Sequence, residues 1–174
     1  MKILLDAEQI RGGVARLARQ IAVDYAGRSP ALIGVLTGSL VLVADLMRQI
    51  DLPLRIGLVQ ARSYRGAATR PGELDLHLDL LPEIAGQDVL LVDDIFDTGH
   101  TLDSLMSKLR LQHPRSLRSA VLLRKQGRQA VTLVPDYVAF EVPDVFVVGY
   151  GLDYRDAYRH LPYVAQLDEA ELRD

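Results

Sequence analysis

The sequence predicts an α/β fold with a mainly parallel sheet flanked by helices, and three observations carry that prediction. An amphipathic helical stripe runs from Asp6 to Gly27. Two strand, loop, helix units follow it, at Ala31–Ile50 and at Val89–Leu109. The last third holds several short apolar runs punctuated by Gly127, Pro135 and Pro143. Helices alternating with apolar strands imply a parallel sheet covered on both faces.

Each element has its own signal. In the first helix Ile10, Val14, Leu17, Ile21 and Tyr25 recur at spacings of three and four, and Gly27 stands as the stop. Ala31 to Leu36 is a short apolar run; after Thr37, Gly38 and Ser39 a helical pattern places Val43, Leu46, Met47 and Ile50 on one side. Leu54 to Ala61 is a further strand candidate. The segment from Arg62 to Gly72 concentrates Ser63, Gly66, Thr69, Pro71 and Gly72, a loop composition of unusual length that suits a lid. Leu74, Leu76, Leu78 and Leu80 then alternate with Asp75, His77 and Asp79, the period of a strand with one wet face on which His77 meets solvent. Val89 to Val92 is an apolar run bounded by acidic residues, and Leu102, Leu105, Met106 and Leu109 resume helical spacing. Ala120–Leu123, Tyr137–Phe140 and Phe146–Val148 complete the strand set. No repeat, low-complexity tract or linker divides the 174 residues, so one domain over 1–174 is expected.

Composition removes several function classes. Hydrophobic residues make up 49% and charged residues 25%, ordinary globular usage. With no cysteine, neither a disulfide framework nor a thiolate zinc site is possible, which fits a reducing compartment. Only three apolar residues separate Lys2 from Asp6, too few for a signal-peptide core, and no apolar run has membrane-spanning length. A cytoplasmic chain with no membrane partner is the expectation. A formal charge of -3 argues against a broadly basic nucleic-acid surface, so anionic ligands must be held locally.

The segment that carries chemistry is VLLVDDIFDTGHTL, Val89 to Leu102. In an open α/β sheet ligands bind beyond the carboxyl ends of the strands, where Asp93 and Asp94 stand here. Asp97, Thr98, Gly99, His100 and Thr101 follow; small residues there let backbone N–H groups and hydroxyls close around an anion at a helix N-terminus. Adjacent carboxylates accept hydrogen bonds from vicinal hydroxyls. A ribose 5-phosphate satisfies both demands. An isolated Asp pair would more simply cap the next helix, and it is the whole pattern that displaces that reading.

That pattern resembles the phosphoribosyl pyrophosphate (PRPP) motif of the type I phosphoribosyltransferases. The likeness extends along nearly the whole chain toward the hypoxanthine-guanine branch, in its compact bacterial form. GVLTGSLVLVADL (Gly34–Leu46) resembles the pyrophosphate loop and its helix, and RSY (Arg62–Tyr64) the start of the mobile loop. LLRK (Leu122–Lys125) and PDYVAFEVPDVFVVGYGLDYRDAYRHLPY (Pro135–Tyr163) resemble the purine-contacting and C-terminal segments. Adenine and orotate phosphoribosyltransferases would not be expected to carry FVVGYGLDY. The resemblance implies a type I fold with a small hood formed by the N- and C-terminal segments, and Mg²⁺ as cofactor. It further implies PRPP with hypoxanthine or guanine as substrates, and a dimer or tetramer of identical chains.

Roles follow from the same resemblance. Asp93, Asp94, Asp97, Thr98, Gly99, His100 and Thr101 would bind the ribose and 5-phosphate, and Thr37, Gly38 and Arg159 the pyrophosphate. Lys125 would donate to the purine 6-oxo group, Phe146 would stack on the base and the Val147 backbone would meet its edge, beside Asp153. Asp93, Asp94 and Asp153 would serve the metal, Ser63 and Tyr64 the lid, and Asp97 would exchange the proton of the purine imidazole ring. Bland readings stand beside these: Lys125 as a solvated lysine, Phe146 and Val147 as core strand residues, Arg159 in a surface ion pair, Asp97 as the N-cap of a helix starting near Thr98. Thr37 lies where some members carry Lys, and the family often has a cis peptide between the equivalents of Leu36 and Thr37, which sequence does not reveal. Two other classes compete. A regulatory RNA-binding protein on the same fold would keep the PRPP motif but show a basic face. A receiver-type signalling domain would place its acidic pair at the first strand.

Overall fold

The computed structural model describes residues 1–63, 74–168 and 170–172. Helix α1 spans Ala7–Asp24, and its start is fixed by a capping box: the Asp6 carboxylate accepts from the N–H groups of Glu8 and Gln9, while the Gln9 side chain accepts from the Asp6 N–H. Ile10, Val14, Leu17 and Ile21 form its buried face, as the periodicity predicted, and Gly27 takes a positive φ of 73° just past its end.

The main sheet has six strands: β2 (Ala31–Leu36), β3 (Arg55–Ser63), β4 (Leu74–His77), β5 (Asp88–Phe96), β6 (Ser116–Lys125) and β7 (Tyr137–Val142), in spatial order β4-β3-β2-β5-β6-β7. All neighbours are parallel except β3 and β4. Along β5 the side chains divide by parity. Leu90 and Val92 join the core under α1 and α2 (Leu40–Gln49), whereas Val89 and Leu91 join the core under α3 (His100–Arg110). Both faces are therefore covered, and the central strands read as continuous apolar runs.

Chain order reverses between β2 and β5. From β2 the chain crosses through α2 to β3 on one side; from β5 it crosses through α3 to β6 on the other. The loops leaving β2 and β5 thus diverge to opposite faces and open a crevice at the switch point. Over this end sits a second sheet of three strands, β1 (Lys2–Leu5), β9 (Val164–Gln166) and β8 (Val147–Val148), all antiparallel, which forms the expected hood.

Several expectations shift at the edges. Met47 is 45% exposed and Leu42 takes the buried place on α2. The alternating leucines form a strand only as far as His77; Leu80 lies beyond it and is exposed. Strand β3 runs on to Ser63, past the expected loop start. The rest of the proposed lid, Tyr64 to Glu73, lies outside the described residues. Strands β1 and β9 escape periodicity because each is short, four and three residues, and they pair across the length of the chain.

Candidate functional site

Two loops meet at the switch point. The first leaves β2 through a cis peptide between Leu36 and Thr37, and the second leaves β5 at Asp97. Around them is a cavity of 350 Å³ lined by Thr37 and Gly38 from the first loop, Asp93 and Asp94 from β5, Asp97, Thr98, Gly99 and Thr101 from the second, and Asp153 and Arg159 from the C-terminal segment. Residues from three separate stretches of sequence thus converge. His100 is exposed at the start of α3 and does not line the cavity. Ser63 ends β3, and Tyr64 lies outside the described residues.

Close approach dictates the small residues here. A Cβ on Gly38 would lie 1.6 Å from Asp94 Oδ2, so the carboxylate rests directly on the glycine backbone. A Cβ on Gly151 would fall 2.1 Å from the Gly38 carbonyl oxygen, and Gly151 also has a φ of 100°. At Gly99, with φ 91°, a Cβ would strike Phe96 and Val131. This glycine is the N-cap of α3, and no side chain caps that helix. The reading of Asp97 as an N-cap is therefore corrected: α3 begins at His100, and the Asp97 carboxylate is turned toward β6.

The carboxylates sit in contrasting surroundings. Asp93 is 7% exposed, and its Oδ1 accepts from the Asp94 N–H at 2.9 Å. Burial and the neighbouring Asp94 charge push the Asp93 carboxyl well above its ordinary range; burial likewise raises Asp94, with Arg159 pulling the other way. For Asp97 burial is also upward, but hydrogen bonds from Arg128 and Lys125 outweigh it and hold the group below its ordinary value. Asp153 Oδ1 pairs with Arg159 Nη2 at 2.7 Å, and its Oδ2 accepts from the Asp156 N–H. Arg159 Nη1 donates to the Gly151 carbonyl at 2.7 Å, so the guanidinium is fixed by the segment that carries it.

A second cavity of 230 Å³ adjoins the first, sharing Asp94, Ile95, Asp97 and Asp153 with it and adding Lys125, Phe146, Val147 and Leu152. Strand register explains this grouping. Phe96 pairs with Arg124, so Asp97 and Lys125, each one residue further, emerge level with each other, and Lys125 Nζ lies 3.2 Å from Asp97 Oδ2. Lys125 is thus no solvated surface lysine; its side chain is 11% exposed. Phe146 keeps 39% exposure and meets the Tyr154 ring edge-on at 5.4 Å, leaving ring surface open to a flat ligand. Val147 is both things at once, a buried strand residue and part of the cavity wall.

Comparison with known proteins now decides the family. A family model described as phosphoribosyl transferase domain matches residues 1–155. The chain belongs to the phosphoribosyltransferase family. Within it, the chain is 38% identical over 168 residues to the hypoxanthine-guanine phosphoribosyltransferase of Streptococcus pneumoniae, covering 97% of this chain and 93% of that one. A crystal structure of a hypoxanthine-guanine phosphoribosyltransferase from Bacillus anthracis superposes with a TM-score of 0.91 at 38% identity, covering 97% of this chain and 99% of the other. The hypoxanthine phosphoribosyltransferase from Trypanosoma cruzi, in complex with the product IMP, gives a TM-score of 0.90 at 37% identity, covering 98% and 95%. The sequence-based fold and family assignments both hold. None of these relatives carries the name of an RNA-binding regulator or of a receiver domain.

Sequence reasoning missed Arg128 and Asp144. Arg128 Nε lies 2.9 Å from Asp97 Oδ1, and Asp144 Oδ1 lies 3.5 Å from Arg128 Nε and 3.7 Å from Lys125 Nζ. The available signal was positional: Arg128 follows LLRK by three residues, across Gly127, and Asp144 sits just past the end of β7, beside β6.

Proposed function

We propose that residues 1–174 act as one phosphoribosyltransferase domain that transfers the 5-phosphoribosyl group of PRPP to hypoxanthine or guanine, giving IMP or GMP and pyrophosphate. The observation that carries the proposal is the pair of adjoining cavities sharing Asp94, Ile95, Asp97 and Asp153. The larger one combines an acidic pair with a glycine-bearing loop at a helix N-terminus, which suits ribose hydroxyls beside a phosphate. The smaller one combines an ammonium, an open aromatic ring and strand backbone, which suits a flat base bearing a carbonyl. Lys125 has donors and no acceptor, so it selects a 6-oxo over a 6-amino group.

Mg²⁺ fits the donor set. Asp93, Asp94 and Asp153 bring only carboxylate oxygens to the cavity wall. That matches an ion that keeps its waters and is held by one or two carboxylates together with substrate phosphates. When bound, it would neutralise charge on the departing pyrophosphate.

The chain's own residues do the rest. Arg159, braced by Gly151 and Asp153, would take up pyrophosphate charge as a fixed fork. With a threonine at position 37, the pyrophosphate loop would rely on its backbone N–H groups. Thr98, Gly99 and Thr101 would hold the 5-phosphate and so fix the ribose relative to the base. Phe146 and Val147 would hold the purine with N9 facing C1 of the ribose. As the ribose gains cationic character and N9 bonds to C1, Asp97 would exchange the proton at purine N7. A homo-oligomer working in the cytoplasm completes the proposal; no helix among the described residues is long and apolar enough to cross a membrane. The test is a spectrophotometric assay of hypoxanthine and guanine consumption with PRPP and Mg²⁺. PRPP-dependent loss of both bases with IMP and GMP appearing is expected; no turnover of either base would refute the function.

A further inference from the structure

Four side chains at the base cavity form a closed ring of alternating charge. Asp97 meets Lys125 at 3.2 Å, Lys125 meets Asp144 at 3.7 Å, Asp144 meets Arg128 at 3.5 Å, and Arg128 returns to Asp97 at 2.9 Å. Its members come from the carboxyl ends of three adjacent parallel strands: Asp97 after β5, Lys125 ending β6 with Arg128 in the turn beyond, and Asp144 after β7. The Lys125 side chain is 11% exposed, whereas those of Asp97, Arg128 and Asp144 are 37%, 44% and 51% exposed. Ion pairs so exposed add little to stability, so holding the fold together does not account for the ring.

Its place does. If the smaller cavity takes a 6-oxopurine, as proposed above, the base must turn both Asp97 and Lys125 toward itself and part them. Breaking an isolated pair in a partly desolvated cavity would leave each charge uncompensated. Here neither is left alone, because Arg128 stays on Asp97 and Asp144 stays on Lys125. We propose that Arg128 and Asp144 are positioning residues that keep Asp97 and Lys125 charge-compensated while an entering 6-oxopurine separates them. The other charged groups near Asp97 are Asp94 and Asp153 in the cavity walls and Arg159 behind Asp153. Of these only Arg159 is a cation, and it is paired with Asp153, so Arg128 is the cation that persists on Asp97 once Lys125 has turned to the base.

The experiment follows the Asp97 carboxyl carbon by NMR titration in ligand-free protein, assigned with Asp97→Asn, alongside single-turnover IMP formation as a function of pH. Arg128→Gln should move the Asp97 titration, and the acid limb of the rate profile, up by roughly one pH unit or more. Arg128→Lys should restore most of that shift, and it stands in if the Gln variant does not fold. Asp144→Asn should leave the Asp97 titration at or below its wild-type position while raising the KM for hypoxanthine several-fold. A uniform fall in rate at every pH, with the Asp97 titration unmoved by Arg128→Gln in an active enzyme, would overturn this proposal alone. A wild-type chain that turns over no base would overturn the base-site reading and, with it, the role at base entry.

Discussion

Gly38→Ala is a small change with a computable consequence. The added Cβ would lie 1.6 Å from Asp94 Oδ2 and 2.6 Å from its Cγ. To restore ordinary contact the carboxylate must retreat by roughly 1.5 to 2 Å. It can do so, because it borders open cavity, so the fold should survive. Gly38 is not among the positive-φ glycines, so alanine brings no backbone strain of its own. The displaced group is one proposed to bind ribose hydroxyls and metal, where a misplacement of about 1 Å costs on the order of 10²-fold. We expect kcat/KM for PRPP to fall by about that factor or more, with PRPP affinity falling alongside it. Calorimetric PRPP titration in a cycle with Asp94→Ala isolates the cause, since removing the carboxylate removes the clash. Wild-type affinity in Gly38→Ala would refute the reasoning. So would an equal loss from the glycine change in the Asp94→Ala background, which would locate the damage in the loop.

Three further predictions concern single groups. Asp97→Asn should fold normally, because Gly99 and not Asp97 caps α3, while the chemical step in a single turnover slows by roughly 10²- to 10⁴-fold; wild-type rates would send the N7 proton elsewhere. Lys125→Ala should lower activity on hypoxanthine and guanine together, and unchanged kinetics for both would remove Lys125 from the site. Asp88, 1% exposed, is held below its ordinary value chiefly by hydrogen bonding from Arg115, against its burial and with Ser116 and Arg28 assisting. A depressed carboxylate stabilises the fold fully above its unfolded value, near pH 4, and loses that contribution as pH falls through the folded value. Asp88→Asn should therefore cost about 1–3 kcal/mol at pH 7 and flatten the acid side of the stability curve, measured by denaturant unfolding at stepped pH; equal acid slopes would refute it.

What sequence made legible, and what it did not, follows from the range of the interactions involved. VLLVDDIFDTGHTL announced strand end, acidic pair and anion loop because strand, turn and helix start are local events. Lys125 and Asp97 were assigned separately, by resemblance; that they touch is a property of β5–β6 register, which no local pattern encodes. Asp144 was invisible for the same reason, being one acidic residue after one proline. The capping role considered for Asp97 failed because αL glycine at position 99 starts the helix later than the Thr98 estimate. His100 is the first residue of α3 and is exposed, which leaves its backbone N–H as the group the resemblance would assign to a phosphate.

The sheet order also constrains how the proposed substrates lie. The loop proposed for pyrophosphate follows β2, the acidic pair lies within β5 and the loop proposed for the 5-phosphate follows it, and Lys125 ends β6 next door. Moving across the sheet in spatial order therefore passes from the proposed pyrophosphate contacts to the proposed ribose contacts to the proposed base contacts, which is the order of the groups around C1 of the ribose in the proposed reaction. Only β5 belongs to both halves: its Asp94 rests on the Gly38 backbone of one loop, and its Asp97 reaches Lys125 on the opposite neighbour. Because Asp93, Asp94 and Asp97 ride on one strand and its exit, their separations change little when either neighbour moves. The breaking C1–oxygen bond and the forming C1–N9 bond of the proposed reaction would then lie over β5, with Arg128 and Asp144 carried by the segments that follow β6 and β7.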